Sequence, residues 1–413
     1  MEEIKEQPKE VEVKPTSLDV ANRLHRQFPE DMSGIRVIAH VPYRDGCLYH
    51  RLYCPLATLQ QNNVIEHFDT SNNIDVGQWI FKYPRCYNVM INQRIFGPVN
   101  NMVAKHFGWM YMLECDDDYW NITKLNPAHK WLAEKPQFLK YFSIAIPYAF
   151  GVIASTRTLV NRFEELGAKR VFYAPNGLNF DSFKDVDTTS HDGTIRIGWA
   201  GSAHHVDDMA QIVGVLREIK RERPNVELVF MNWQPQQLSG MTRFFKGGPP
   251  EQYQALMMKL PIDIAVAPLV DSKFNRSKSN LKWLEYSALG VPTVASDVEP
   301  YKEIEDGVTG FKARNCAEWK TILNTLIDNE ELRRRVGEHS KEWCFNNYDL
   351  RRTATGLLNA LHENMEYQKS IPDIEAKLKE SVNNYKMEIG ASKVIKKLRK
   401  KEGKKRAKRL ANG

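Results

Sequence analysis

The sequence predicts an α/β protein built from two doubly wound domains. Short apolar runs rich in β-branched residues alternate with stretches of helical periodicity, and the alternation occurs twice along 413 residues. A polar, Gly-terminated stretch, Asp185–Gly193, separates the two series and reads as a linker. With 42% hydrophobic residues the chain can fill two cores of ordinary size. No internal repeat or heptad pattern stands out.

Residues 1–32, rich in Glu and Lys, are expected to form a disordered leader. The first domain, 33–188, has expected strands at Ile35–His40, Tyr87–Ile91, Trp109–Leu113, Gly151–Ala154 and Val171–Tyr173. The second, 194–348, has strands starting at Ile195, Val226, Ile262 and Val291. The run Ile262–Leu269 has the length and composition of a strand buried on both faces, and Val291–Ala295 repeats the pattern. Between them lies a short helix that Gly290 is expected to end in a left-handed conformation. Leu281, Leu284 and Ala288 of this helix are expected to face the core. Lys278, Lys282 and Glu285, four and three residues apart, share its polar side. Two cations near the helix start, together with free backbone N–H groups, can hold a diphosphate, and Glu285 can accept hydrogen bonds from a vicinal ribose diol.

At these residues the sequence resembles the donor-binding segment of GT-B glycosyltransferases, in particular the retaining family-4-like enzymes. The similarity extends upstream to Ile195–Met209, where Gly201, Ser202, His205 and Asp208 match a Gly-Ser/Thr-x-x-His-x-x-Asp-Leu string, and downstream through Glu305–Phe311 to Tyr348. The resemblance implies a GT-B architecture of two Rossmann-like domains, with residues 349–367 crossing back onto the first. It implies donor binding by Gly201, Ser202, His205, Asp208, Ser279 and Asn280, and a catalytic part for Lys278, Lys282 and Glu285. The family's common pair of glutamates keeps only the second here, since Ser277 stands where the first would be.

The first domain should then supply the acceptor side. Tyr43–Leu52 resembles the Gly-containing loop and following Arg that face the cleft in related enzymes, with Gly46 permitting a tight backbone path and Arg51 as the arginine. Ligands of open parallel sheets bind beyond the carboxyl ends of strands, which directs Gln93, Arg94 and the Asp116–Asp118 cluster toward the crevice. Ala174-Pro-Asn-Gly-Leu178 resembles the family's Pro-Asn-Gly turn. Asp116 and Asp117 are candidates to orient an acceptor hydroxyl, one of them with a pKa raised by its neighbour. A rival reading takes Asp116-x-Asp118 as the metal site of a GT-A transferase. The nucleotide signals lie far downstream in a second domain, which favours the metal-free reading.

Composition supplies the remaining expectations. The six cysteines show no disulfide or zinc spacing, and Met1–Leu18 is too polar for a signal peptide, so a cytoplasmic enzyme is expected. His204 and His205 lack a third ligand at zinc spacing. The sequons at Asn121 and Asn275 read as chance matches. Residues 391–413 hold eleven Lys or Arg and one acid, a balance of +10 that leaves −3 for the rest of a chain of net charge +7. Such a tail, reached through a charged connector from residue 368, suggests binding to nucleic acid or an anionic membrane surface, or plain solubilisation. The resulting reading is a transferase moving a sugar from a nucleotide-sugar donor, with no separate cofactor, to an acceptor hydroxyl on a glycan, a protein or modified DNA. A non-catalytic nucleotide-sugar or polyanion-binding protein on the same fold is the alternative from another class.

Overall fold

The computed structural model describes residues 34–41, 44–71, 87–94, 109–124, 126–134, 136–183, 186 and 192–370. The leader, the basic tail and most of the expected linker lie outside them. Among the described residues twelve strands form two six-stranded sheets. The first comprises β1 (Arg36–His40), β2 (His67–Ser71), β3 (Val89–Gln93), β4 (Met110–Cys115), β5 (Gly151–Ala154) and β6 (Val171–Tyr173), in spatial order 2-1-3-4-5-6. The second comprises β7 (Ile195–Ala200), β8 (Val226–Met231), β9 (Thr242–Phe245), β10 (Ile264–Ala267), β11 (Thr293–Ser296) and β12 (Phe311–Ala313), in order 12-11-10-7-8-9. Every pairing is parallel. The chain reverses direction across each sheet between β1 and β3 and between β7 and β10, where the loops beyond the strand ends diverge and leave a crevice.

Three of the expected strands shift in a way that matters for the site. Expected at Tyr87–Ile91 and Trp109–Leu113, β3 and β4 instead run on to Gln93 and Cys115, so Gln93 and Glu114 stand side by side as buried strand residues. Polar residues at a strand's end read as loop in a sequence. Here they stay in the ladder because an arginine reaches them. The strand after Ile262 begins at Ile264. The expected set did not include β2, whose His-Phe-Asp-Thr-Ser carries little apolar signal; it pairs at the sheet edge, with Asp69 buried against His67 and Tyr87. Nor did it include β9, an edge strand of the second sheet.

The helix between β10 and β11, Leu281–Ala288, is enclosed on more sides than its amphipathic pattern suggests. Trp283 and Ser287 are as buried as Leu284, because the helix Glu330–Tyr348 packs on their side. Trp283 Nε1 donates to Ser340 Oγ and to the Thr309 carbonyl, both at 3.0 Å, and its ring meets Trp343. Gly290 closes the helix with φ of +72°, the left-handed conformation expected for it. The helix Leu350–Ser370 returns to the first sheet. The strand-like exchange of Leu178 N–H with the Tyr348 carbonyl and Leu350 N–H with the Leu178 carbonyl marks the crossing, and Ala354, Leu357, Ala360 and Leu361 join the first core. Among the described residues no helix is long and apolar enough to cross a membrane.

Candidate active site in the interdomain cleft

The two crevices face each other and merge into one cleft of about 1230 Å³. From the second domain come the turn after β7, with Gly201, Ser202, His204 and His205, and the segment Lys278–Glu285. The first domain contributes the segment after β1, Arg94 after β3, Asp116 and Asp117 after β4, and an aromatic wall that includes Tyr119, Trp131 and Phe138.

On the second-domain wall the helix Leu281–Ala288 starts at Asn280 without a side-chain cap, so its first-turn N–H groups are not satisfied from that side. Lys282 Nζ lies 3.0 Å from Glu285 Oε2 and 3.1 Å from Tyr253 OH. Both charged side chains are largely withdrawn from water. Burial works against the Lys282 ammonium, but Glu285 together with Tyr286 and Tyr301 more than offsets it and holds the lysine above its usual range. Across the cleft His50 Nε2 comes within 3.9 Å of Glu285 Oε1. The Gly201 N–H donates to the Met231 carbonyl at 3.2 Å, so this amide is not free for a ligand. Glycine is required there for another reason: an added Cβ would strike the Trp199 ring.

On the first-domain wall the segment after β1 is helical, where a tight glycine loop was expected. Asp45 caps the helix, accepting the Leu48 N–H at 3.1 Å, and a π-helical segment, Tyr49–Tyr53, carries His50 and Arg51 inward. Gly46 has no positive φ, and a Cβ there would meet nothing within 4 Å. Its smallness therefore leaves space in the cleft and does not relieve the backbone. Arg51 is buried: Nε donates to Glu114 Oε1 at 2.7 Å, and Nη1 donates to the Ala174 carbonyl at 2.5 Å and to Asn176 Oδ1 at 3.0 Å. Asn176, in the Pro-Asn-Gly turn, donates onward to Ser279 Oγ at 2.8 Å, which ties the two walls together. Arg94 sits at φ of +53° and pairs with Asp45 at 2.6 Å. Burial, reinforced by Asp116 and only partly offset by Lys278, pushes the Asp117 carboxyl up to about 6.

Compared with known proteins, the chain matches no protein-family model and no curated protein sequence. Solved structures do match. They include HepE of Anabaena in complex with UDP and glucose (TM-score 0.55, 13% identity, 79% of this chain and 99% of that one) and a glycosyltransferase of Rickettsia africae (0.56, 12%, 81% and 99%). Sucrose-phosphate synthase of Thermosynechococcus elongatus also aligns (0.53, 11%, 80% and 100%). The chain has the GT-B fold.

Within this GT-B frame, twelve of the fifteen residues singled out from sequence line the cleft: Lys278, Lys282, Glu285, Asp116, Asp117, Gly201, Ser202, His205, Ser279, Gly46, Arg51 and Arg94. Three stand behind it. Gln93 is fully buried and donates to Glu114 and to the Cys47 carbonyl, whereas the sequence directed it into the crevice. Asp208 is buried under His205, and Asn280 is buried at the helix start. Asp118 likewise turns inward, accepting from Trp120 N–H and Asn121 Nδ2, so Asp116 and Asp117 reach the cleft and the Asp-x-Asp pair does not. Among the described residues no group of three or more His, Cys, Asp or Glu is arranged to hold a metal ion. The sequence reading passed over His50, Glu114 and Tyr253. Glu114 and His50 flank residues it did select, but nothing local marks Tyr253, which arrives from the helix Pro250–Met257.

Proposed function

We propose that the chain is a glycosyltransferase that takes its sugar from a nucleotide-sugar donor. The observation that carries the reading is the Lys282–Glu285 pair beside an uncapped helix start, facing a first-domain wall that holds Asp116 and Asp117. The donor diphosphate lies at the helix start near Lys278 and Lys282, and Glu285 accepts from the ribose. An acceptor hydroxyl approaches from the aspartate side. In a retaining reaction the departing diphosphate takes the acceptor's proton on the same face of the sugar, so the protein's share is positioning and charge stabilisation. A thermal-shift screen of nucleotide sugars tests the donor class. A ligand at about a hundred times its dissociation constant stabilises by about 2.7 kcal/mol.

Glu285→Gln is expected to weaken donor binding or turnover by about 1.5–3 kcal/mol, the worth of a charge-assisted hydrogen bond, with the fold intact. Unchanged donor kinetics in a folded variant would remove Glu285 from the site. Turnover is expected to survive EDTA, because lysines and helix N–H groups carry the diphosphate charge. Loss of activity on chelation, restored by Mn²⁺ or Mg²⁺, would return the aspartate cluster to a metal-binding role. One observation favours a binding protein without chemistry: Ser277, at the position of the family's first glutamate, is buried with its hydroxyl bonded to the Phe274 carbonyl. Donor hydrolysis separates the two readings.

The basic tail extends the proposal to a polyanion, nucleic acid or an acidic membrane. If about five of its charges displace counterions from duplex DNA, log affinity falls against log salt with a slope of roughly −4.5. Truncation before Ala391 is expected to abolish that salt-sensitive component and preserve donor hydrolysis. Equal, weak binding of both forms to DNA and to anionic and neutral vesicles would leave the tail as a solubilising extension.

A further inference from the structure

The turn after β7 holds an acid–histidine pair whose geometry fixes a tautomer. Asp208 is buried, and its Oδ1 accepts from the Val270 N–H at 2.9 Å and from Asn275 Nδ2 at 2.8 Å. Its Oδ2 faces His205 Nδ1 at 2.8 Å. A carboxylate only accepts, so Nδ1 carries a proton and the neutral ring keeps a bare lone pair at Nε2. The ring stands edge-on to Trp199 and lines the cleft. Burial pushes its pKa below the usual histidine range, and the nearby Lys278 and Lys282 add to that effect while Asp208 opposes it. The cleft thus presents a lone pair at a wall otherwise suited to anions, with a buried carboxylate behind it ready to support an imidazolium.

Resting on the donor reading above, we propose that His205 takes up a solvent proton when the donor enters and donates its Nε2–H to a diphosphate oxygen. A phosphate oxygen repels the bare lone pair, whereas the imidazolium gives it a charge-assisted hydrogen bond backed by Asp208. The diphosphate also offsets the lysine charges that disfavour the cation. No bond to the sugar is made or broken in this step; one proton moves from bulk water to Nε2. Other titratable groups of this turn and the cleft are His204, bonded to Ser202 Oγ, and Asp207 on the same turn, Lys278, Lys282 and Glu285 on the facing segment, and Asp117 on the first-domain wall. Asp117 is the competing proton acceptor, since burial already raises its carboxyl.

The experiment is calorimetric titration of the full-length protein at pH 7 with UDP-glucose, GDP-glucose and ADP-glucose. These diphosphate diesters carry no phosphate group titrating near neutrality. Buffers of different ionisation enthalpy convert the slope of observed heat into protons taken up. The wild type is expected to take up a measurable fraction of one proton, with affinity falling by at most tenfold per pH unit as pH rises between the free and bound pKa values. His205→Gln, which retains a side-chain donor, is expected to abolish the uptake and flatten the pH profile; Asp117→Asn is expected to keep both. Donor binding by the wild type with no proton uptake would overturn the inference and leave the donor site standing, as would uptake that persists in a folded His205→Gln. Failure of every nucleotide sugar to bind the wild type would instead sink the donor reading, and this inference with it.

Discussion

Replacing Arg51 with methionine is expected to destabilise the protein by about 3–5 kcal/mol, the cost of leaving one member of a buried ion pair alone. Glu114 is fully buried and receives the Arg51 guanidinium at 2.7 Å and the Gln93 amide at 2.8 Å. Burial already pushes its carboxyl above the usual range, with Arg51 opposing, so loss of the arginine drives it further up. The same substitution removes the donor to Asn176, whose link to Ser279 joins the two walls. Urea unfolding gives the first effect directly. Adding Glu114→Gln to the arginine variant removes the stranded charge and is expected to restore part of the loss. A cost below about 1 kcal/mol for the arginine variant alone would mean that Glu114 is neutral in the folded protein. That outcome would remove electrostatic pairing as the reason this π-helical segment turns inward.

The second large effect is expected on turnover. Lys278→Ala should lower kcat by about 10²–10³, the usual cost of deleting one group that stabilises charge developing in the transition state. Lys282 is committed to Glu285 and Tyr253, whereas Lys278 stands over the Phe274 ring at 4.9 Å and is close enough to influence Asp117 across the cleft. Under the proposed function it is therefore the lysine expected to meet the leaving diphosphate as the glycosidic bond breaks. The informative readout is the division between constants. If Lys278 acts mainly in the transition state, kcat and kcat/KM fall together; if it only anchors the bound donor, KM rises and kcat holds. A folded variant with kcat within about threefold of wild type excludes the first role.

Much of this architecture was legible in the sequence, and the reason is periodicity. Parallel strands covered on both faces must be continuously apolar, so Ile264–Ala267 and Gly151–Ala154 announce themselves, and a helix ended by a left-handed residue points to Gly290. The first-domain candidates Gln93, Arg94, Asp116 and Asp117 followed because ligands of open parallel sheets bind beyond the strands' carboxyl ends, the second-domain ones from helix spacing and the family resemblance, and most of the selected positions are in the cleft. What sequence could not reveal is which polar residues the fold spends on itself. Gln93 looks like a crevice residue until β3 and β4 are seen to continue through it and Glu114, and Arg51 to arrive from 63 positions away in the chain relative to Glu114. Asp118 looks like half of a metal pair until it is found capping the turn that follows it. Tyr253 and His50 reach Glu285 only because separate segments converge there. Local pattern determines which face of an element is apolar. Whether a charged group beyond that face meets water, a ligand or a buried partner depends on contacts between distant segments, and only the tertiary structure decides it.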